Sequence, residues 1–583
     1  MTTTNITSPQ KPKNIDVLIL SLFIIIITFN PFFMHGRINI FEVGLYLPGI
    51  DVVLNGLVPF RDVFHLRGGF ELYIPAYLMS VFGEHVGVLF SYFYVGNVIC
   101  LILAVLIARE LFKTRLFLYL MIPVFVARTY PRVVFHYWGG LRYAFGLLVL
   151  YCVIRFFKSE KKVWIFFCGL ASALGLFTSV EIGVCSIAGV FAAFFFSFVY
   201  KIQTKKEITQ GLGVYLVGLG LIGLPYVVYL METHSLWPMI DSFWSVVSNK
   251  ENILDTHLVS VFPRNLVELI QVLFNPAGKN FRHITPVYLY VALLFYFIQR
   301  IRQSKLSKLD LAAVAIGTYG LIMYNAAFRN IWAAQFEMAL QIEKFLFFYL
   351  LEWGYLFLRE KENFKVAWKP YVLGFIIIGL IGSSLGYAIQ RFNHRFYAFK
   401  FIRNILTGKD NSSLRPWANE VSKPLSIERA KGIIVPTQQA DELEQVTDFI
   451  EENTAQGEMV LMYPELGAYS FFVDRPFPGR YPIPTFTWFN EKWHQEFMET
   501  LEKVRPQYII MPQEHPHNWE AVYLFPKKNR EKFNAVMDFI RANYVLAQTT
   551  AVSNIYKWNG LSNSQLVEPL IKSYQPVSED DNE

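Results

Sequence analysis

Two carboxylates and a handful of arginines are the residues of this chain whose type and spacing suit chemistry. The acids stand in one stretch, Phe41-Glu42-Val43-Gly44-Leu45-Tyr46 followed by Gly56-Leu57-Val58-Pro59-Phe60-Arg61-Asp62-Val63-Phe64-His65-Leu66-Arg67-Gly68-Gly69. Between them Val43, Leu47, Ile50, Leu54 and Leu57 recur at three- and four-residue spacing, which predicts one amphipathic helix lying in a membrane interface, with Pro48 as its kink or start. Such a helix holds Glu42 near lipid headgroups. Further along, Arg128, Arg132 and Arg142 fall within fifteen residues that contain no acid. Guanidinium forks match phosphate oxygens, so a phosphate ligand accounts for the cluster, with Arg67 and Arg329 as further members. The alternative for these arginines is a snorkelling contact with headgroups. For Asp62 it is a simple pair with Arg61.

The elements that must position these residues are membrane spans. Of 583 residues, 54% are hydrophobic and 17% charged, against roughly 45–50% and about 25% in soluble proteins. That excludes an ordinary soluble enzyme and a disordered chain. Apolar runs near 17–33, 87–108, 116–130, 141–157, 163–179, 182–200, 211–231, 286–299, 309–326, 338–358 and 371–389 predict a multi-span α-helical membrane protein of about eleven transmembrane helices. The short connections Arg109–Arg115, Lys158–Lys162, Lys201–Lys206, Arg300–Lys308 and Arg359–Lys369 carry the basic residues after every second span, with Lys11 and Lys13 on the same side. By the positive-inside rule the N-terminus is cytoplasmic and the C-terminal segment is outside, in the plasma or inner membrane if the source is bacterial. Arg128, Arg132 and Arg142 then stand on the side where that rule expects few basic residues.

This topology predicts two domains. Residues 1–389 form the membrane domain, with outer loops at 35–86, 128–140 and 232–285. Residues 390–583 form an extracytoplasmic α/β domain with helices over 441–453, 491–504 and 528–543, strands near 458–463, 508–512, 544–550 and 553–558, and an acidic disordered end. The net charge of +7 belongs mostly to the cytoplasmic rim, so no nucleic-acid partner is expected. Cys100, Cys152, Cys168 and Cys185 lie in apolar runs without metal or disulfide spacing.

The first-loop residues carry a resemblance. An acid after the first span (Glu42), then Gly56-x-x-Pro59-Phe60-Arg61-Asp62, within a multi-span layout with an outward tail, resembles the GT-C class of glycosyltransferases, related to protein mannosyltransferases and the lipid A aminoarabinose transferase. As motif the likeness covers about residues 40–70. Members often have Asp or Asp-Glu where this chain has Phe41-Glu42, and many have a Pro-Pro segment where it has His65-Leu66-Arg67-Gly68-Gly69. The resemblance implies a hexosyl- or pentosyltransferase that moves a sugar, with inversion, from a polyprenyl-phosphate-linked donor to a hydroxyl of a glycan, lipid or protein at the outer face. It implies a carboxylate general base, Glu42 first and Asp62 second, and cations for the departing phosphate in Arg67, Arg128, Arg132, Arg142 and Arg329. No cofactor or metal is expected. The competing classes are a transporter or flippase of lipid-linked sugars and an outer-face glycan polymerase or ligase; a transporter calls for paired repeats, and none is visible.

Other groups read more plainly. Glu181 suits either a cavity or the start of a helix, and Glu343 and Lys344 suit packing or orientation. His515-Pro516-His517 has a metal-capable spacing on a Pro-rich loop. The aromatic stretch 463–493 is the core of a small domain or a surface for stacking a sugar.

Overall fold

The computed structural model describes residues 10–129, 141–248, 263–276, 278–327, 341–359, 368–411, 414, 420–513 and 527–560. They divide into two compact units, one of residues 1–34, 90–229 and 256–418, the other of residues 35–89, 230–255 and 419–583.

The first unit is helical. Helices occupy Asn14–Thr28, Val86–Leu111, Arg115–Thr129, Leu141–Ser159, Lys162–Thr178, Val180–Val199, Lys205–Glu232, Lys279–Arg302, Lys308–Ala327, Gln341–Arg359 and Lys369–Arg395, one at each stretch that the apolar runs predict. Among the described residues six of them are long and apolar enough to cross a membrane, which makes this an integral membrane protein. Small residues let the helices close. A Cβ on Gly169 would stand 2.2 Å from the Tyr215 carbonyl oxygen, and one on Gly218 the same distance from that of Phe166, so helices Lys162–Thr178 and Lys205–Glu232 touch backbone to backbone. The basic connections have specific partners. Glu110 is ion-paired with Arg109, Arg155 and Lys158 at 2.6–2.9 Å, Asp16 with Arg115 at 2.5 Å, and Asp310 with Arg300 at 3.1 Å. Glu352 accepts from the Lys113 and Thr114 amides and the Thr114 hydroxyl, capping the start of helix Arg115–Thr129.

The second unit joins the first loop to the C-terminal region. Its four-stranded sheet runs in the order Val460–Met462, Tyr508–Pro512, Ser553–Trp558, Tyr544–Thr549; the first pair is parallel and the others antiparallel. Helices Thr437–Asn453, Glu491–Val504 and Lys527–Asn543 accompany it. Phe64 of the first loop lies in the same core as Leu461, Trp493, Phe497, Ile509 and Val536, with ring centroids 4.7 Å from Trp493 and 5.5 Å from Tyr481. Arg429 adds a tie, pairing with Asp51 at 2.7 Å and Asp474 at 2.8 Å.

The first loop departs from the expected single interfacial helix. It forms two short helices, Ile40–Gly44 and Leu47–Leu54, broken at Tyr46 (φ −120°, ψ −52°), and Pro48 sits in the first turn of the second. Val43, Leu47 and Ile50 are fully buried, while Leu57 is 47% exposed beyond the helix end. The stripe packs on protein, against helices Phe70–Phe82 and Ala468–Phe472. Helix Phe70–Phe82 lies in what the apolar pattern leaves as loop. At about 20 Å it is too short to cross a hydrocarbon core of roughly 30 Å.

Candidate active site

Glu42 sits in the first turn of helix Ile40–Gly44, whose start is capped by the Asn39 side chain accepting from the Glu42 amide at 3.2 Å. Burial raises its carboxyl pKa to about 7, and the positive charge of Arg67 pulls it part of the way back. Among the described residues no group donates a hydrogen bond to that carboxylate.

Arg67 is held on the other side. It donates to the Tyr46 hydroxyl and, at 3.1 Å, to Glu71 Oε1. The second oxygen of Glu71 stands 3.3 Å from His65 Nε2, and both side chains are buried. Glu71 opens helix Phe70–Phe82, so this cluster of Tyr46, His65, Arg67 and Glu71 ties the break between the two first-loop helices to the start of that helix. A small cleft of about 50 Å³, partly open to solvent, lies beside it, lined by Gly44, Leu45, Phe64, His65, Leu66 and Arg67 with Pro482 and Ile483. Two main-chain contacts hold the loop there: Phe64 N–H donates to the Arg480 carbonyl at 2.6 Å, and Arg480 donates to the Phe60 carbonyl at 3.3 Å.

Asp62 stands in a tight turn. Its carboxylate accepts from the Val58 amide at 2.7 Å and from Arg61 at 2.9 and 2.7 Å. Those Arg61 bonds hold its carboxyl below the usual range, against the opposing effect of burial. Phe60, at the turn, adopts φ +70°, an uncommon conformation for a residue with a side chain. Glu42 and Arg67 thus belong to one cluster, whereas the partners of Asp62 are Arg61 and the turn itself.

In the first unit, Arg128 is buried at the end of helix Arg115–Thr129. It donates to the Pro276 carbonyl at 3.1 Å and lies over Phe281 and Tyr387, 4.6 and 4.5 Å from their centroids. Arg391 is buried against the same Tyr387 ring at 5.4 Å and donates to the Ala127 carbonyl at 3.2 Å. Arg142 is buried as well, but bonds Ser179 and Glu181 at 3.1 Å each. Glu343 accepts from the Tyr290 hydroxyl at 2.9 Å. Arg132, Arg329, His515 and His517 lie outside the described residues. Residue patterns alone missed Glu71, His65 and Arg391. The one available signal was the four-residue spacing of Arg67 and Glu71, although Arg67 stands just before the helix that Glu71 opens.

No protein-family model matches the chain, and no curated protein matches it. Solved structures do. The apo oligosaccharyltransferase of Archaeoglobus fulgidus is 13% identical with a TM-score of 0.48, over 85% of this chain and 69% of that one. ArnT from Cupriavidus metallidurans bound to undecaprenyl phosphate is 10% identical with a TM-score of 0.48, over 95% and 99%. The archaeal oligosaccharyltransferase AglB in complex with an inhibitory peptide and a dolichol-phosphate is 12% identical, TM-score 0.48, over 95% and 74%. At such identities and TM-scores no residue's role passes from those proteins to this chain.

Proposed function

We propose that this protein is a glycosyltransferase that moves a sugar from a polyprenyl-phosphate-linked donor to an acceptor hydroxyl at the outer face of the membrane, with inversion. The observation that carries the reading is Glu42, whose carboxyl is tuned to about 7 beside the Arg67 charge, at the loop position where the first-loop motif calls for an acid. A base of that pKa takes a proton efficiently near neutral pH. As the acceptor oxygen attacks the anomeric carbon, Glu42 receives the hydroxyl proton. The bond from that carbon to the phosphate oxygen breaks and its electrons pass to the leaving phosphate. Arg67, the cation beside Glu42, is assigned to that developing charge.

Arg142 has an acidic partner, Glu181 at 3.1 Å, as Arg67 has Glu71, and stays among the proposed phosphate ligands. Asp62 keeps the role of shaping the turn. A polyprenyl phosphate is the lipid bound in the ArnT structure and a dolichol-phosphate in the AglB structure, and the same lipid class is proposed as the carrier here. The topology proposed with it has the N-terminus in the cytoplasm, and the C-terminal region and first loop outside.

The deciding experiment incubates the purified protein with labelled polyprenyl-phosphate sugars and a panel of glycan, lipid and protein acceptors. Label leaving the lipid and appearing on an acceptor supports transfer. Label that only crosses a vesicle membrane unchanged identifies a flippase and rejects the reading.

A further inference from the structure

Helix Leu236–Ser248 is built inside out. Trp237, Ile240, Trp244 and Val247 are 76%, 41%, 70% and 56% exposed, and their spacing of three, four and three residues places them on one face. Asp241, four residues after Trp237, borders that face, where it accepts from Trp493 Nε1 at 3.1 Å and pairs with Lys492 at 3.5 Å. The opposite side carries polar groups turned into the protein: Ser242 and Ser245 are buried, and Asn490 donates to Ser245 Oγ at 2.9 Å. Water is a poor neighbour for four large apolar side chains in a row.

We infer that this helix is a membrane-interface anchor, its tryptophan stripe seated at the boundary between the headgroups and acyl chains of a phospholipid bilayer. Three observations choose lipid as the occupant. In sequence the helix begins four residues after Glu232, the end of a helix long and apolar enough to span a membrane. Tryptophan is the side chain that prefers the bilayer interface, because its ring is apolar and its N–H wants a polar partner. The charge that borders the stripe, Asp241, is already bound by Trp493 and Lys492, so insertion rests on the aromatic and aliphatic groups.

The anchor also bears on the first loop. Phe60 packs on Phe243 of this helix with centroids 6.0 Å apart, and Arg61 donates to the carbonyl of Thr233, just before it, at 3.2 Å. A helix seated in the interface therefore holds the Pro59–Asp62 turn at headgroup depth. The anchoring is independent of the proposed reaction; only the use of that depth, to meet a lipid-linked phosphate, rests on it.

The test uses the full chain in phosphatidylcholine vesicles, with Trp237→Cys and Trp244→Cys made separately and labelled with an environment-sensitive fluorophore. The four native cysteines are buried, so the introduced thiol takes the label. The expected result at both positions is about a twofold loss of emission in lipids brominated near the headgroup end of the acyl chain, with little effect of aqueous iodide. Quenching by iodide without quenching by bromolipid would mean a water-facing stripe, free for a soluble glycan, and overturns the inference. Protection from both would mean a protein cover, such as a second copy of the chain, and overturns it equally. Neither result depends on whether the protein transfers a sugar.

Discussion

The guanidinium of Arg67 lies 3.1 Å from the buried carboxylate of Glu71 and is also the charge that moderates Glu42. One cation therefore serves two acids in different ways: Glu71 binds it directly, while Glu42 feels it only through space. Separating two carboxylates by environment is how a site keeps one as a fixed anchor and leaves the other to exchange protons.

Replacing Glu42 by Gln removes the proton acceptor and keeps the size of the side chain. Turnover is expected to fall by about 10²–10⁴, with donor affinity within about threefold of the parent's. Steady-state rates and donor binding by the purified variant check this; a variant with parental turnover removes Glu42 from the chemistry.

The rate should climb with pH on a limb centred near 7 as Glu42 ionises, and the limb should vanish from any residual activity of Glu42→Gln. Stability should run the other way. The folded pKa is above the ordinary value of 4.5, so the contribution of neutral Glu42 is complete below that value and is lost as pH rises through about 7. Thermal unfolding of parent and Glu42→Gln across this range measures the difference.

Asp62→Asn separates the turn residue from the base. It weakens the pair with Arg61 and keeps an oxygen for the Val58 amide. The expected loss is roughly 1 kcal/mol of stability, since the pair is partly exposed, with turnover falling less than about tenfold. A loss as deep as that of Glu42→Gln would restore Asp62 to the chemistry.

Glu71→Gln strands Arg67 beside buried groups and should destabilise the second unit by about 3–5 kcal/mol. The double variant Glu71→Gln with Arg67→Met should lose less than the sum of the singles, because neither charge is left alone. Additive losses in thermal unfolding would show that the two side chains are not coupled.

Gly467→Ala tests the wall of the cleft. A Cβ there would meet the Pro482 carbonyl oxygen at 2.4 Å and Ile483 at 3.0 Å. The expected destabilisation is about 1–3 kcal/mol from overpacking, read by thermal unfolding; an unchanged midpoint would mean that the Pro482 segment yields freely.

Much of the helical layout was legible because a span announces itself through composition alone, and the C-terminal elements because their helices keep a 3.6-residue period and strands such as Val460–Met462 and Tyr508–Pro512 are short buried apolar runs. The first loop was harder. Its stripe from Val43 to Leu57 reads as one helix, but Tyr46 breaks it and turns its hydroxyl to Arg67, a tertiary contact that spacing does not encode. Helix Phe70–Phe82 was hidden by its length and by Pro75. Glu42 and Arg67 were visible as residue types, whereas Glu71 was not, since its importance comes from burial. Arg142 and Glu181 were both noticed, but separately. Only the packing of their helices makes them a pair. Arg391 falls just past the final apolar run, 371–389, with nothing local to link it to Tyr387 and Ala127.

That Arg142–Glu181 pair also bears on how the chain is made. Arg142 emerges from the ribosome 39 residues before its partner, and an arginine in a membrane helix is unwelcome until it is paired or reaches headgroups. During synthesis, therefore, Arg142 has no Glu181 to pair with until the chain has grown past the start of Val180–Val199. The contact between helices Leu141–Ser159 and Val180–Val199 is complete only after Lys162–Thr178 between them has been made, so these three helices pack as one group.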